Sequence, residues 1–386
     1  MAAFARRPNS RSLLPRAEAL YGRAIKKINL VLRDHRLVLR DSTLASILLF
    51  GIFETITSTH LAMSGWLSHL DGAITILKSR GKKQIETPVG RDLFYAIRGQ
   101  MVLAVIANSR YVDAGIEWWI DMIPQDETQR VITELNLRLG NLRAETEKLM
   151  LSSPYTSDNL ENVSKLLHEA KLLDERYAQW FENLPPSWKP RTVAWIDSIR
   201  EEDLLLSDFY PGRVDLLVEI WSAGQYATAL TSRLLVQRTI LRCAARLCSP
   251  LDYRLTPEFT TAARVSSQLI DDVIAAVPYF FGWKPKTDVG AIVTGSNFAC
   301  GKNDGMTPKA LSVLFVIWPI IVAATSDFTT ESHREWLKAK LAYVSEHMGI
   351  NQAGVLLKNA AIRSPSMLIF RDKNGHTSSI FQEPPV

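Results

Sequence analysis

The sequence predicts an all-α protein, a multi-helix stack of αα-hairpins whose arrangement could be solenoid-like. Apolar residues recur at helical spacing along most of the 386 residues, and the alternation typical of strands is scarce. With 47% apolar and 22% charged residues, the composition is that of a globular chain with a sizeable core. No internal repeat period is visible, so a solenoid is not specified by the sequence itself.

The first 40 residues are basic, with ten Lys or Arg against Glu18 and Asp34, whereas the remainder is slightly acidic. We expect residues 1–17 to be a disordered leader, and we expect an amphipathic helix with a basic outer face from Tyr21 onward. Such a segment can contact phosphate backbones without sequence preference, or it can serve as a nuclear import signal. The candidate residues for either role are Arg6, Arg7, Arg11, Arg16, Lys26 and Lys27.

A strongly apolar helix is predicted over residues 43–60, and the segment 64–94 then reads as a helical hairpin. Its first helix has an apolar face made of Trp66, Leu70, Ala73, Ile74 and Leu77. Gly72 costs about 1 kcal/mol relative to Ala inside a helix, so we expect it to permit the close approach of another backbone. His69 is expected to pack or to form a hydrogen bond within the hairpin, in preference to binding a metal.

Local signals also predict where the first helix of the hairpin ends and the second begins. Arg80 supplies a cation in the last turn, and Gly81 can take a left-handed conformation after it. Thr87 followed by Pro88 is typical of an N-cap and a first helical residue. The connector 81–87 exceeds the turn of about 3–4 residues in a DNA-reading helix-turn-helix, so we interpret the hairpin as structural.

Further helices follow at intervals, separated by Pro- and Ser-rich breakers. The predicted helices cover residues 131–149, 157–180, 213–247, 257–277, 308–325 (with a kink at Pro319) and 331–347. A stiff corner is expected at 184–190, irregular chain at 249–256 and 282–307, and a loose tail from Arg371 to Val386.

The run Trp66-x2-His69-x2-Gly72-Ala73-x3-Leu77-x2-Arg80-Gly81 resembles the core motif of the fungal-specific transcription factor domain. That domain is the helical regulatory region found downstream of a Zn2Cys6 zinc cluster. Further similar motifs follow the family's order: Tyr21-Gly22-Arg23-Ala24, Leu44 to Glu54, Tyr210-Pro211, Ala276-Val277-Pro278-Tyr279, Ile317-Trp318-Pro319-Ile320 and Gly349-Ile350-x-Gln352-Ala353. The resemblance spans about residues 20–358 and implies one regulatory domain over 18–370.

The zinc cluster of this family is absent from the sequence. A Zn2Cys6 centre requires six cysteines, whereas this chain has only Cys243, Cys248 and Cys300. Cys243 and Cys248 are five residues apart on a predicted helix and therefore point to different faces. We expect the cysteines to be small buried side chains, and this argues against direct, sequence-specific DNA binding.

Catalytic patterns are also missing, so we expect neither an enzyme nor a metal or cofactor site. The loop 295–303 departs twice from a phosphate-binding loop, since five residues separate its glycines and Asn303 follows the lysine. His168-Glu169 lacks a second histidine, and no Gly-x-Ser-x-Gly elbow occurs. Trp118 and Trp119 are expected to be partly exposed beside acidic residues, which is unfavourable for nucleic acid.

Three functional hypotheses remain. The resemblance favours a nuclear transcriptional regulator that acts with a co-regulator, a DNA-bound partner protein or a second copy of the chain. Control of a secondary-metabolite gene cluster is a role known for the family. Within this first hypothesis, the alternative to such a partner is that the chain is a shortened gene product whose first exons encode the zinc cluster. The alternatives are a helical scaffold or adaptor without a transcriptional role, and an enzyme with scattered pocket residues.

The longest apolar run, from Leu311 to Thr325, is too short for a membrane span.

Overall fold

The structure is a computed structural model that describes residues 2–3, 12–59, 63–112, 115–122, 126–152, 157–283, 310–359 and 364–374. The chain divides into two compact units. The first contains the described residues of Met1–Pro124 and Ala342–Lys358, and the second contains those of Gln125–Leu341 and Asn359–Thr377.

Among the described residues, the N-terminal part of the first unit contains five helices with defined bounds. They are α1 (Leu14–Val31), α2 (Asp41–Thr57), α3 (Ser64–Arg80), α4 (Pro88–Asn108) and α5 (Ile116–Ile120). A short 3-10 helix, Lys82–Glu86, connects α3 to α4. The core of this unit contains the fully buried side chains of Leu44, Leu77, Phe94, Ile97 and Ile106.

The part of the chain described beyond α5 contains ten further helices and two strands. They are α6 (Glu127–Ser152), α7 (Ser157–Glu182), β1 (Arg191–Ile196), α8 (Glu201–Leu204), β2 (Gly212–Leu216), α9 (Ile220–Leu247), α10 (Pro257–Phe280), α11 (Ala310–Leu314), α12 (Ile317–Ala324), α13 (Glu331–Glu346), α14 (Asn351–Lys358) and α15 (Pro365–Asn374). Helix α14 belongs to the first unit. Helix α9 is the centre of the second unit, because it packs against α6, α7, α10, α12 and α15.

The predicted all-α class is confirmed, since helices dominate the described residues and β1 and β2 form only a two-stranded sheet. The sheet corrects one prediction: Arg213 to Leu216 lie in β2, and the long helix begins only at Ile220. The strands pair antiparallel, with Arg191 opposite Leu216, and the hydroxyl of Thr192 donates a hydrogen bond to Asp215 at 2.8 Å. Periodicity does not reveal β1, because its residues 193–196 are all apolar and do not alternate. The pairing of β1 with β2 also joins two separate segments of the chain.

Three further boundaries differ from the prediction. The apolar segment expected to be one kinked helix is divided into α11 and α12, and Pro319 lies in the first turn of α12, where its missing N–H is no loss. Arg371 lies in α15 and is buried, so an ordered helix extends to Asn374 where a loose tail was expected. Helix α1 likewise begins at Leu14, within the expected leader.

Candidate functional site

The connector of the predicted hairpin is fixed to both helices by hydrogen bonds. The hydroxyl of Thr87 accepts from the backbone N–H of Gly90 at 3.1 Å, which confirms the predicted N-cap of α4. Gly81 has φ +64°, the positive value expected after α3. The buried side chain of Gln84 donates to the carbonyl oxygen of Leu77 at 3.1 Å, so the 3-10 helix is anchored to the last turn of α3.

Trp66 joins three helices of the first unit. Its indole Nε1 donates to Gln100 Oε1 on α4 at 3.1 Å. A Cβ atom at Gly51 on α2 would lie 3.2 Å from Cδ1 of the Trp66 ring, so the absence of a side chain at Gly51 makes room for the indole. Ala73 and Leu77 are buried on the same side of α3, as their spacing predicts.

The role predicted for Gly72 is wrong. Gly72 lies on the exposed face of α3, and no atom comes within 4 Å of the place where its Cβ would be. The close approaches occur at other glycines. A Cβ at Gly65 would lie 2.6 Å from the Glu54 carboxylate, and one at Gly90 would overlap the backbone oxygen of Gln84. Helical periodicity alone therefore identified the apolar face but not which glycine faces a neighbour.

Arg80 does more than end a helix. Its guanidinium forms an ion pair with Asp41 at the start of α2, and the Arg80 side chain is only 11% exposed. Arg80 therefore ties the C-terminus of α3 to the N-terminus of α2, where a cation and an anion respectively are each favourable. The sequence contains no local signal for this pair, because its partners are 39 residues apart.

Helix α1 contacts the hairpin through a cluster of three polar side chains, which we call the Tyr21 cluster: Tyr21, Glu54 and His69. The Tyr21 hydroxyl donates to Glu54 Oε1 at 2.7 Å and lies 2.8 Å from His69 Nε2. Because the hydroxyl has one proton, His69 Nε2 is the donor in the second bond. Burial raises the pKa of Tyr21 and lowers the pKa of His69.

The Tyr21 cluster confirms that His69 forms a hydrogen bond, but its partner is on α1. The Tyr21 ring also stacks on Phe53 with 4.1 Å between ring centroids. In the described part of the chain, no three His, Cys, Asp or Glu side chains come together in a way that could hold a metal ion. The cluster therefore serves to position α1 against α2 and α3.

The outer side of α1 has four exposed basic residues, which we call the α1 basic face: Arg16, Arg23, Lys26 and Lys27. Spacings of seven and four place Arg16, Arg23 and Lys27 on one side of the helix. Apolar side chains are exposed beside this face and in the turn that follows, namely Leu20, Leu30, Leu32 and Leu39. Arg6, Arg7 and Arg11 lie outside the described residues.

The remaining residues singled out in the sequence either pack within the protein or lie outside the described residues. Cys243 is buried, and burial raises the pKa of its thiol to about 12, which disfavours the thiolate that binds metals. Trp119 is fully buried and stacks on Phe94 at 5.9 Å, whereas Trp118 is half-buried. Cys300 and the loop 295–303 lie outside the described residues. None of the described helices has the length and hydropathy of a membrane span.

Comparison with known proteins finds a family model that matches the N-terminal quarter of the chain. Residues 2–99, which include α1, α2, α3 and the first half of α4, match the family model of the fungal specific transcription factor domain. The chain is also similar to the transcription factor dbaG of Emericella nidulans, with 24% identity over 349 residues, which are 90% of this chain and 76% of that protein. No solved structure matches the chain significantly.

These two findings confirm the resemblance that the hairpin motif indicates. They support a transcriptional regulator as the class of protein. The segment 2–99, with its hairpin and the helices packed on it, is the part of this chain that matches the fungal specific transcription factor domain.

Proposed function

We propose that this protein is a fungal transcriptional regulator that acts in the nucleus through its helical domain. The observation that carries the proposal is the family match over residues 2–99, joined by similarity to a transcription factor over 90% of the chain. The structure of the matched segment is consistent with this role, because the family motif residues form the packed hairpin that holds α1 in place.

We propose further that the protein reaches its target genes through a partner. A Zn2Cys6 cluster needs six cysteines and these 386 residues contain three, which supports a route to DNA through another protein. The partner is a DNA-bound protein, a co-regulator or a second copy of the chain. The α1 basic face, with exposed leucines beside it, offers such a partner a surface that combines positive charge and apolar area.

The genes under control are proposed to be a local set, such as a secondary-metabolite cluster. This part rests on the family resemblance alone. Transcript profiling of a deletion strain tests it directly, since a local regulator should change neighbouring genes together.

The nuclear role is tested by tagging the full-length protein at its own locus and scoring its location. We expect nuclear accumulation, and a change in transcript levels on deletion of the gene. A cytosolic protein whose deletion leaves transcripts unchanged would instead support a helical scaffold or adaptor.

A matched pair of variants tests the α1 basic face. Changing its four residues to Gln should reduce nuclear accumulation or transcript control if this face carries the import signal or partner contact. The control changes four exposed lysines elsewhere to Gln, and should behave as wild type: Lys82, Lys83, Lys165 and Lys358.

Gel shifts with the purified chain test the need for a partner. We expect binding to any DNA sequence at low salt that disappears at moderate salt, because phosphate contacts release counterions. A shift that discriminates the target promoter from scrambled DNA at moderate salt would contradict the partner model.

A further inference from the structure

The second unit contains a partly open cavity of about 400 Å³ that none of the functional arguments above uses. It lies where the end of α7 and the following corner meet α9 and α10. Residues from α10 line it at spacings of three and four, namely Val265, Leu269 and Asp272, so one face of that helix forms a wall. The volume lies in the range of about 300–1,000 Å³ that is usual for small-molecule sites.

The inner part of this cavity is apolar and aromatic. Leu184, Tyr226, Val265 and Leu269 are buried, and the rings of Phe181 and Tyr226 meet edge to face at 5.6 Å. These side chains are held by helices of the unit's core and by the proline corner before β1. The lining therefore suits a flat, apolar body.

The side chains that line the cavity have a net positive charge. Arg233 is paired with Asp174 at 2.7 Å, and Asp272 is paired with Arg213, so these two lining residues already have partners. Lys189 and Arg264 also line the cavity, as exposed side chains. The salt bridges of the described lining residues involve Arg233 and Asp272 and neither of these two cations. The cavity thus has an excess of two positive charges beside an apolar interior.

We propose that this cavity binds a small organic anion, with an aromatic or aliphatic body against Tyr226 and Leu269 and an acidic group at Lys189 and Arg264. A cationic ligand is disfavoured because Asp272, the acidic side chain of the lining, is already paired with Arg213. A large polyanion is disfavoured because the cavity is too small for it. The binding site stands independently of the proposed transcriptional role.

The probe for this site is 8-anilinonaphthalene-1-sulfonate, and its uncharged counterpart is N-phenyl-1-naphthylamine. The two share an aromatic body and differ in the acidic group. In titrations of the folded full-length protein followed by fluorescence, we expect the sulfonate to bind at least about tenfold more tightly than the neutral compound.

Two variants of the lining locate the binding. Changing Lys189 and Arg264 together to Gln should weaken sulfonate binding by about tenfold or more and leave the neutral compound unchanged. Gln268→Trp changes an exposed side chain of the lining into one that fills the cavity, and should weaken both compounds. Circular dichroism and thermal melting of each variant confirm that it is folded.

The control removes two exposed positive charges that do not line the cavity, by Arg138→Gln and Lys165→Gln, and should bind both compounds as wild type does. Unchanged sulfonate affinity in the Lys189 and Arg264 variant would overturn the proposal. So would equal losses in the control, since binding would then reflect only the overall charge. Full binding by a folded Gln268→Trp variant would place the probe outside this cavity and equally overturn it.

Discussion

At the scale of single residues, a glycine within a helix lowers stability relative to alanine. Glycine is the better residue only where a neighbouring atom occupies the space that the alanine methyl group would need. Gly72 faces solvent on α3, whereas Gly90 on α4 lies directly against the backbone of Gln84. The two positions have the same residue type in adjacent helices of one hairpin. Their replacement by Ala therefore separates helix propensity from packing.

Gly72→Ala should raise the free energy of unfolding by about 0.5–1 kcal/mol, because Ala loses less backbone entropy in a helix. Gly90→Ala should lower it by about 1–3 kcal/mol, because the new methyl group displaces the connector backbone. Urea denaturation of the two variants measures both changes. A loss of stability in Gly72→Ala as large as that in Gly90→Ala would show that Gly72 has a neighbour after all.

The Tyr21 cluster shows what residue chemistry contributes beyond apolar packing. Tyr21 and His69 come from segments 48 residues apart and form a hydrogen bond, and the Tyr21 ring stacks on Phe53. No motif spacing links them, so sequence reasoning assigned His69 a hydrogen bond without finding its partner. A partly buried hydroxyl between two polar side chains fixes the orientation of α1 because each group would lose its partner if α1 moved.

At the scale of elements, the hairpin depends on where α4 begins. The Thr87 cap satisfies one of the free N–H groups of the first turn, and Pro88 lacks an N–H there. Both features are local, so the sequence located this boundary correctly.

Thr87→Ala should lower the free energy of unfolding by about 1 kcal/mol, since the N–H of Gly90 then loses its side-chain partner. Thr75→Ala is the matched control, because Thr75 is an exposed threonine of α3 whose hydroxyl bonds only to the carbonyl of Asp71 in its own helix. The free energy of unfolding of Thr75→Ala should be within about 0.5 kcal/mol of the wild-type value or slightly above it. Thermal and urea unfolding measure both variants. An equal loss in Thr75→Ala would mean that the effect of Thr87→Ala is not due to capping.

At the scale of the whole molecule, a network of buried and half-buried charges joins three helices of the second unit. Glu147 on α6 accepts from Arg242 on α9 at 2.8 Å and pairs with Arg371 on α15 at 2.6 Å. Arg242 also pairs with Asp372 at 2.7 Å. Burial opposes the ionisation of Glu147, but the two arginines outweigh it and lower the pKa of Glu147 to about 2.

This pKa predicts how stability depends on acid. The unfolded chain takes up a proton at Glu147 near the ordinary value of 4.5, whereas the folded protein does so only near 2. The contribution of ionised Glu147 to the free energy of unfolding is therefore fully present above about pH 4.5, and it is lost as the pH falls towards about 2. Replacement of this side chain should remove that part of the acid dependence.

Glu147→Gln should lower the free energy of unfolding by about 3 kcal/mol near neutral pH, because the buried Arg242 and Arg371 lose one of their two anionic partners. The difference from wild type should shrink as the pH falls from about 5 to about 3. Glu175→Gln, an exposed position on α7, serves as the matched control. Urea unfolding across this pH range gives the result, and a difference that stays constant with pH would contradict the assignment.

The sequence by itself determined the helical class, most helix boundaries, the caps of the hairpin and the family resemblance. Each of these follows from signals within a few neighbouring residues, either a periodicity or a cap within one turn. Other features became apparent only in the tertiary structure: which glycine has a close neighbour, the partner of His69, the Arg80–Asp41 pair, the two-stranded sheet and the cavity beside α10. They join segments far apart in sequence, and a helix face does not specify which other face will pack against it.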